Sequence, residues 1–586
     1  MRIPLLLRVC LTLLTVVPLH ASPDPGKSLT DFLATQWEYT MQQSPVWASY
    51  LGDRRFNDRW DDQSLVAIAA RHEHDQAALK QLASIPRDKL TPADQLNYDL
   101  FALDLKNRID GERFRFYLMP VNQREGPQTA DDTAASLRFE TVKDYEDWIA
   151  RLQSFPSVLA QTTDLMREGI KARILQPKIV MQRVPAQLAK QIVAKPEESG
   201  FFRPFKKFPA TISAADQQRL TDAARKAIGE GIVPAFVKFK EFFDREYLPA
   251  SYDQVGVWQH PEGEAAYAYA ARVSTTTSLT PQQIHDLGLK EVARIRAEME
   301  QIKDRVGFKG TLGEFFGHLR TDPKFFYRTS EELLAAYRAM AKETDPLLVK
   351  IFKILPRMPY GVTPIPAMIA PDTTTAYYSE PAADGSRAGR YFVNLYKPET
   401  RPKWEMRALS LHESVPGHHF QISIAMEQGE LPKFRRYGGY TAYIEGWALY
   451  SESLGNEMGL YEDPYEKFGE LTYDMWRAVR LVVDTGMHSL KWDRQKAIDF
   501  FMANAPKTEL DVTNEIDRYI AWPGQALAYK IGQLKIKELR ARATAALGNK
   551  FDLREWHDHL LSSGAVPLEV LEKRMDAWVA ARVARK

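Results

Sequence analysis

Beyond its first 21 residues the chain has no cysteine; the single one, Cys10, lies inside an apolar leader. Without a thiol the remainder forms no disulfide, binds no metal through thiolate and uses no cysteine nucleophile. Any metal must then be held by His, Asp or Glu. A charge imbalance is also lacking. Seventy-eight Lys and Arg against 76 Asp and Glu leave a net charge of +2. This makes no global electrostatic case for nucleic acid or an anionic membrane as partner. No apolar run after the leader is long enough to span a bilayer, so no integral membrane segment is expected once the leader is cleaved. No internal repeat of fixed period is visible.

The leader itself reads as an export signal. Arg2 and Arg8 supply positive charge, "CLTLLTVVPL" is a short apolar run, and Ala21 in "LHA" offers a small residue before a cleavage point. Residues 1–21 are therefore expected to be a signal peptide and the protein to be exported, periplasmic or extracellular. An uncleaved anchor is the alternative. Cys10 precedes most of the apolar run, which excludes it as a lipoprotein cysteine.

What the chain does have is helical periodicity. Its 586 residues suit two or three ordinary domains or one large helical body, and 45% hydrophobic with 26% charged residues is normal for a globular chain. Apolar residues recur at three and four steps in Ser28–Gln43, in Ser330–Ile354 and from Met475 to Ala503. Thr280 reads as an N-cap, Pro281 as the first helical residue and Gln283 as the capping-box partner, with Ile284, Leu287, Val292 and Ile295 as the core stripe. One segment, Pro364–Tyr396, is rich in Pro, Thr and Gly. It predicts two short strands, "TTTAYY" and "RYFVNLY", around a loop. The expected fold is mainly α: one body over residues 28–582, with two lobes flanking a cleft and a small β-hairpin or sheet beside the key helix. That sheet can offer an edge to an extended peptide or merely plug a surface.

The chemistry concentrates in "LSLHESVPGHHFQ", Leu409–Gln421. Three of the twelve histidines fall between His412 and His419. Pro402, with Trp404, Ala408 and Leu411, predicts a helix running into His412-Glu413, and Pro416 interrupts it. Two ligands four residues apart on a straight helix lie about 6 Å apart along the axis, which suits one metal. His419 is seven residues on, roughly 10.5 Å along that axis, and is too distant. His418 points to the wrong side. An excursion at Val415–Gly417, with Gly417 supplying unusual backbone angles, returns His418 to the place of a second ligand. Glu445, in the first turn of a helix read over Tyr440–Gly455, is the candidate third ligand. The alternative is a carboxylate favoured there by the helix dipole. Glu452, seven residues further, can support a ligand from behind.

"HESVPGHH", "YIEGWALYSE", "RLVVDTGMH" and "RYIAWPGQALAYKIGQL", in this order, resemble the motifs of the bacterial DUF885 family, which is grouped with zincin-like metallopeptidases. The likeness runs from about Ser28 to the C-terminal helix. It implies a zincin-like helical body with a deep cleft. In the relatives the metal helix reads His-Glu-x-Gly-His, and its Gly-His pair matches Gly417-His418. The resemblance thus implies one Zn2+ per chain on His412, His418 and Glu445, with His419 supporting the site or touching substrate. It implies Glu413 as general base for a zinc-activated water, and it nominates His488 and Tyr529 as oxyanion donors. Arg480 and Arg518, in the same motifs, can grip a substrate carboxylate or serve structural ion pairs. The function so implied is an exported zinc-dependent peptidase of oligopeptidase or carboxypeptidase type, acting on short peptides. Two readings stand beside it: a non-catalytic exported helical binding protein with a structural or lost metal site, and a metal-dependent hydrolase of non-peptide amides.

Overall fold

Helix caps and apolar stripes act where the sequence places them. Thr280 accepts from the Gln283 N–H and Gln283 reaches back to the Thr280 N–H, closing a capping box that opens helix α1, Pro281–Arg305. This box satisfies two otherwise unpaired backbone donors, and such a cap contributes about 1 kcal/mol. Ile284, Val292 and Ile295 of the predicted stripe are buried, while Leu287 is partly so.

The computed structural model describes residues 24–367, 370, 374–382, 385 and 387–584. The signal-peptide reading lies outside them. Among the described residues the fold is mainly α with one three-stranded sheet. No helix of the described residues is long and apolar enough to cross a membrane.

Six further helices build the site. They are α2 (Lys403–Glu413), α3 (His418–Glu427), α4 (Thr441–Ser453), α5 (Pro464–His488), α6 (Glu509–Ala521) and α7 (Ala528–Leu547). The stretch Met475–Ala503, read as one helix, is two. After α5 the chain turns at Lys491 in the left-handed region (φ 57°), and Asp493 caps a new helix, Arg494–Asn504. The side chain of Asp493 takes the Lys496 N–H, which offers the backbone a fresh start rather than a continuation.

The sheet has the order β1-β3-β2, with β1 at Tyr360–Pro364, β2 at Ala376–Ser379 and β3 at Gly389–Val393. The predicted hairpin is the antiparallel pair β2–β3, in which Ala376 faces Val393 and Ser379 faces Arg390. Strand β1, parallel to β3 from Tyr360 opposite Gly389 to Pro364 opposite Val393, is an addition. Its proline is tolerated because β1 is an edge. Tyr391 and Val393 of the central strand pack onto Met406, Ala408 and Leu409 of α2.

Two apolar cores meet at the site helices. α5 sends Met475, Ala478, Val479 and Val482 into the larger one and Leu481 into the second, where Leu411, Val415, Phe420 and Trp447 also lie. Leu411 and Leu481 are fully buried; such a side chain contributes about 1.5–3 kcal/mol. α4 and α7 press together at Gly446 and Gly532. A Cβ on Gly532 would sit 1.8 Å from the Ala442 carbonyl oxygen, so no larger residue fits at this crossing.

Candidate metal centre

The interruption of the histidine helix has a defined shape. α2 ends at Glu413, and Ser414 leaves helical angles (φ −106°, ψ −112°). The Val415–Pro416 peptide is cis, and α3 begins at His418. Gly417 is required by close approach rather than by a left-handed angle: its φ is −75°, but a Cβ there would lie 1.9 Å from the His412 carbonyl oxygen. The excursion tucks under the end of α2 and brings His418 back beside His412. Their ring centroids are 4.8 Å apart and nearly perpendicular, at 88°.

Glu445 completes the group. Its Oε2 lies 3.6 Å from His412 Nε2 and 3.4 Å from His418 Nε2. The ligand atoms of His412, His418 and Glu445 all lie within 4.8 Å of one another. Glu445 is the fifth residue of α4 and not in its first turn, so the helix dipole does not account for it. The Glu452 carboxylate accepts from His412 Nδ1 at 2.7 Å, which turns Nε2 toward the other two ligands. Side-chain exposures of 4% for His412, 12% for His418 and 18% for Glu445 show that the group is reached from the His418 and Glu445 side.

The electrostatics favour a cation. Burial disfavours a charged His412, but the Glu445 and Glu452 carboxylates override it and hold the imidazole up at about 9. Burial alone would raise Glu445; His418 and His412 bring it well below the usual carboxylate range. Glu445 Oε2 is buried without a hydrogen-bond partner. Two imidazole nitrogens and one carboxylate oxygen around such an atom fit zinc. Glu413 is half-buried and has no hydrogen bond or ion pair among the described residues.

His419 faces elsewhere. Its Nε2 donates to the Met358 carbonyl at 3.0 Å, while Nδ1 meets the Tyr378 hydroxyl at 2.9 Å and Ser423 Oγ at 3.3 Å. It fastens the sheet to α3, and burial lowers its pKa to about 4. Neither nitrogen is left for metal or substrate, which corrects the substrate-contacting reading. His488 is corrected likewise. Its Nε2 donates to the Tyr519 carbonyl at 2.9 Å and its Nδ1 accepts from the Val257 N–H at 3.1 Å. Buried and with both nitrogens used, it has no proton for an oxyanion.

Tyr529 remains available. Its hydroxyl accepts from Arg518 at 3.1 Å, leaving its own proton to give. It is tied to the metal ligands through Arg477, a residue not singled out from the sequence. The Arg477 guanidinium lies 3.6 Å from Glu452 Oε1 and 6.0 Å from the Tyr529 ring centroid. Arg477 and Arg480, three apart in the apolar run "MWRAVRLVV", are the signal that could have drawn attention to it, since buried charges on one helix face need partners. Arg480 and Arg518 both meet Glu515 Oε2, at 3.0 and 3.6 Å. Two cavities, of about 620 and 560 Å3, do not include the metal group: one is bordered by Arg113, Tyr269 and Arg272, the other by Tyr450, Lys537 and Arg540.

This chain is similar to two solved structures. One is a candidate lipoprotein from Colwellia psychrerythraea: TM-score 0.89, 30% identity, covering 95% of this chain and 100% of that one. The other, a candidate lipoprotein of unknown function from Shewanella oneidensis, has TM-score 0.70 and 18% identity, covers 93% of this chain and 99% of that one, and shows likeness of fold alone. No curated protein sequence matches the chain. The family model described as "Bacterial protein of unknown function (DUF885)" matches residues 45–575. With this span matched, and a relative of 30% identity aligned over nearly its whole length, the chain belongs to the DUF885 family.

Proposed function

We propose that this protein is an exported zinc-dependent peptidase acting on short peptides. The observation that carries the reading is the convergence of His412 Nε2, His418 Nε2 and a Glu445 oxygen, with ligand atoms within 4.8 Å of one another, beside an unpartnered Glu413. His412, His418 and Glu445 would hold zinc, which would supply Lewis-acid activation of water and of a carbonyl.

The chain's own residues then divide the work. Glu452 holds the His412 ring in the tautomer that presents Nε2. Glu413, next to the first ligand and facing partly open space, takes the proton of the attacking water and delivers it to the leaving amine. Tyr529 donates to the developing oxyanion. The free edges of β1 and β2 offer backbone groups to an extended peptide, and His419 holds that sheet to the helix following His418. Export rests on the leader, and the candidate-lipoprotein description of the Colwellia structure agrees with it.

The test is metal analysis of the mature protein, followed by digestion of a mixed oligopeptide pool with and without chelator, read by mass spectrometry. About one zinc per chain and chelator-sensitive cleavage are expected. A protein that takes up zinc and cleaves nothing would remove the peptidase reading.

A further inference from the structure

From Phe468 to His488 every residue of α5 is buried except Trp476. That partly buried indole, whose Nε1 donates to the Tyr519 hydroxyl at 2.9 Å, is where this stretch of the helix comes nearest to solvent. Beneath it lies Arg480, with its Cζ 5.4 Å from the Trp476 ring and 4.3 Å from the Tyr529 ring. Arg518, its side chain 15% exposed, is bonded to the Tyr529 hydroxyl. The two guanidiniums share one carboxylate oxygen, Glu515 Oε2, which also accepts from the Tyr519 hydroxyl at 2.8 Å. Two cations therefore face a single anion in a largely dry setting. Their donor capacity is not used up: Arg480 Nη1 and Arg518 Nε are buried without hydrogen-bond partners. Arg480 is only 3% exposed. An uncompensated buried guanidinium is costly unless an anion completes it.

We infer that Arg480 and Arg518, under Trp476 and beside Tyr529, form a subsite for the free C-terminal carboxylate of the substrate. The inference rests on the peptidase reading and deepens it. It makes the substrates short peptides with an unblocked C-terminus, cut near that end. A series of neighbours leads to the metal ligands: Arg480 covers the Tyr529 ring, the Arg477 Cζ lies 6.0 Å from the centroid of that ring, its guanidinium lies 3.6 Å from Glu452, and Glu452 holds His412. A planar fork suits a carboxylate, and a neutral amide in its place would leave the same cations unpaired.

The test measures binding. Acetyl-trialanine and its C-terminal amide are titrated calorimetrically into the Glu413→Gln protein as purified. The acid should bind at least about tenfold more tightly than the amide, as expected for a charge-assisted contact. Arg518→Gln should reduce that preference to within about threefold, and Arg480→Lys, which keeps the charge but loses the fork, should weaken it as well. Glu515→Gln removes the competing anion and should strengthen acid binding, a gain that a merely structural role for the cluster would not produce. Equal binding of acid and amide overturns the subsite, and so does a preference unchanged in Arg518→Gln and Glu515→Gln. If the acid preference holds while the wild type cleaves no peptide, the subsite stands and the peptidase reading falls. If the wild type cleaves blocked and free peptides equally, the reverse is true.

Discussion

Trp447 Nε1 donates to the Pro416 carbonyl oxygen at 2.8 Å. The indole belongs to the helix that carries Glu445, and the carbonyl belongs to the excursion between His412 and His418. This bond, with a longer one from Ser451 Oγ to the same carbonyl at 3.4 Å, ties the third ligand's helix to the loop that sets the spacing of the first two. Trp447→Phe keeps most of the buried ring and removes the donor. It should lower stability by about 1 kcal/mol and metal affinity by roughly tenfold, the low end for groups that orient ligands. Equilibrium unfolding and competition with a chromogenic chelator measure the two effects; an unchanged affinity would separate the clamp from the site.

The two late histidines should behave differently. His418→Ala should strip metal. His419→Ala should retain it and instead lose about 1–3 kcal/mol, because the Met358 carbonyl and Tyr378 hydroxyl are left unpaired. Metal content and thermal unfolding of both variants decide the matter, and metal loss in His419→Ala would reverse the assignment.

Glu413→Gln should fold and hold zinc normally yet hydrolyse peptides at least about a hundredfold more slowly. Tyr529→Phe should lower turnover by roughly 10²–10³-fold. His488→Ala, by contrast, should lower the unfolding temperature, since it vacates two backbone partners. A stable His488→Ala protein with turnover as depressed as that of Tyr529→Phe would restore the histidine as a donor.

Gly532→Ala probes how α7 positions Tyr529 against α4. The added methyl meets the Ala442 carbonyl at 1.8 Å, so the helices must separate, at a cost of about 1–3 kcal/mol or more. Turnover should fall with stability. Normal unfolding and normal turnover would show that the crossing tolerates a side chain.

Asp484 gives the fold a pH dependence. Burial raises its carboxyl from 3.8 to about 7, even though the Tyr267 hydroxyl and the Gly524 N–H both donate to it. Between those values the folded chain binds a proton that the unfolded chain has lost. This stabilisation is fully present below about pH 4 and is lost as pH rises through about 7, a change on the order of 4 kcal/mol. Asp484→Asn should flatten that decline. Unfolding curves from pH 4 to 8 test it, and parallel profiles for the two proteins would exclude Asp484 as the source.

The sequence made some of this legible and hid the rest for physical reasons. The α1 cap was readable because Thr280, Pro281 and Gln283 interact within one turn. The ligands were readable because His412, His418 and Glu445 are chemically unusual residues set close along the chain, and Glu452 because it repeats the face of Glu445. His419 and His488 were misread because their partners are mostly backbone atoms, such as those of Met358, Val257 and Tyr519, and any residue carries those groups. Strand β1 was missed because its pairing with β3 is parallel and non-local, so nothing adjacent to "YGVTP" announces it.

Because α5 is shielded from Phe468 to His488 except at one indole, its amides exchange with solvent only when the whole molecule opens. Arg477 and Arg480 therefore ride on a stiff axle, and their spacing from His412 is set before any ligand arrives. The sheet differs between its centre and its edges: Tyr391 and Val393 of β3 are buried against α2, while the sheet reaches α3 through the polar contacts of one imidazole. Hydrogen exchange should rank the two accordingly, slow along the axle and fast at the strand edges, so the adaptation needed to admit peptides of differing sequence falls to the sheet while the charges that fix their ends stay still.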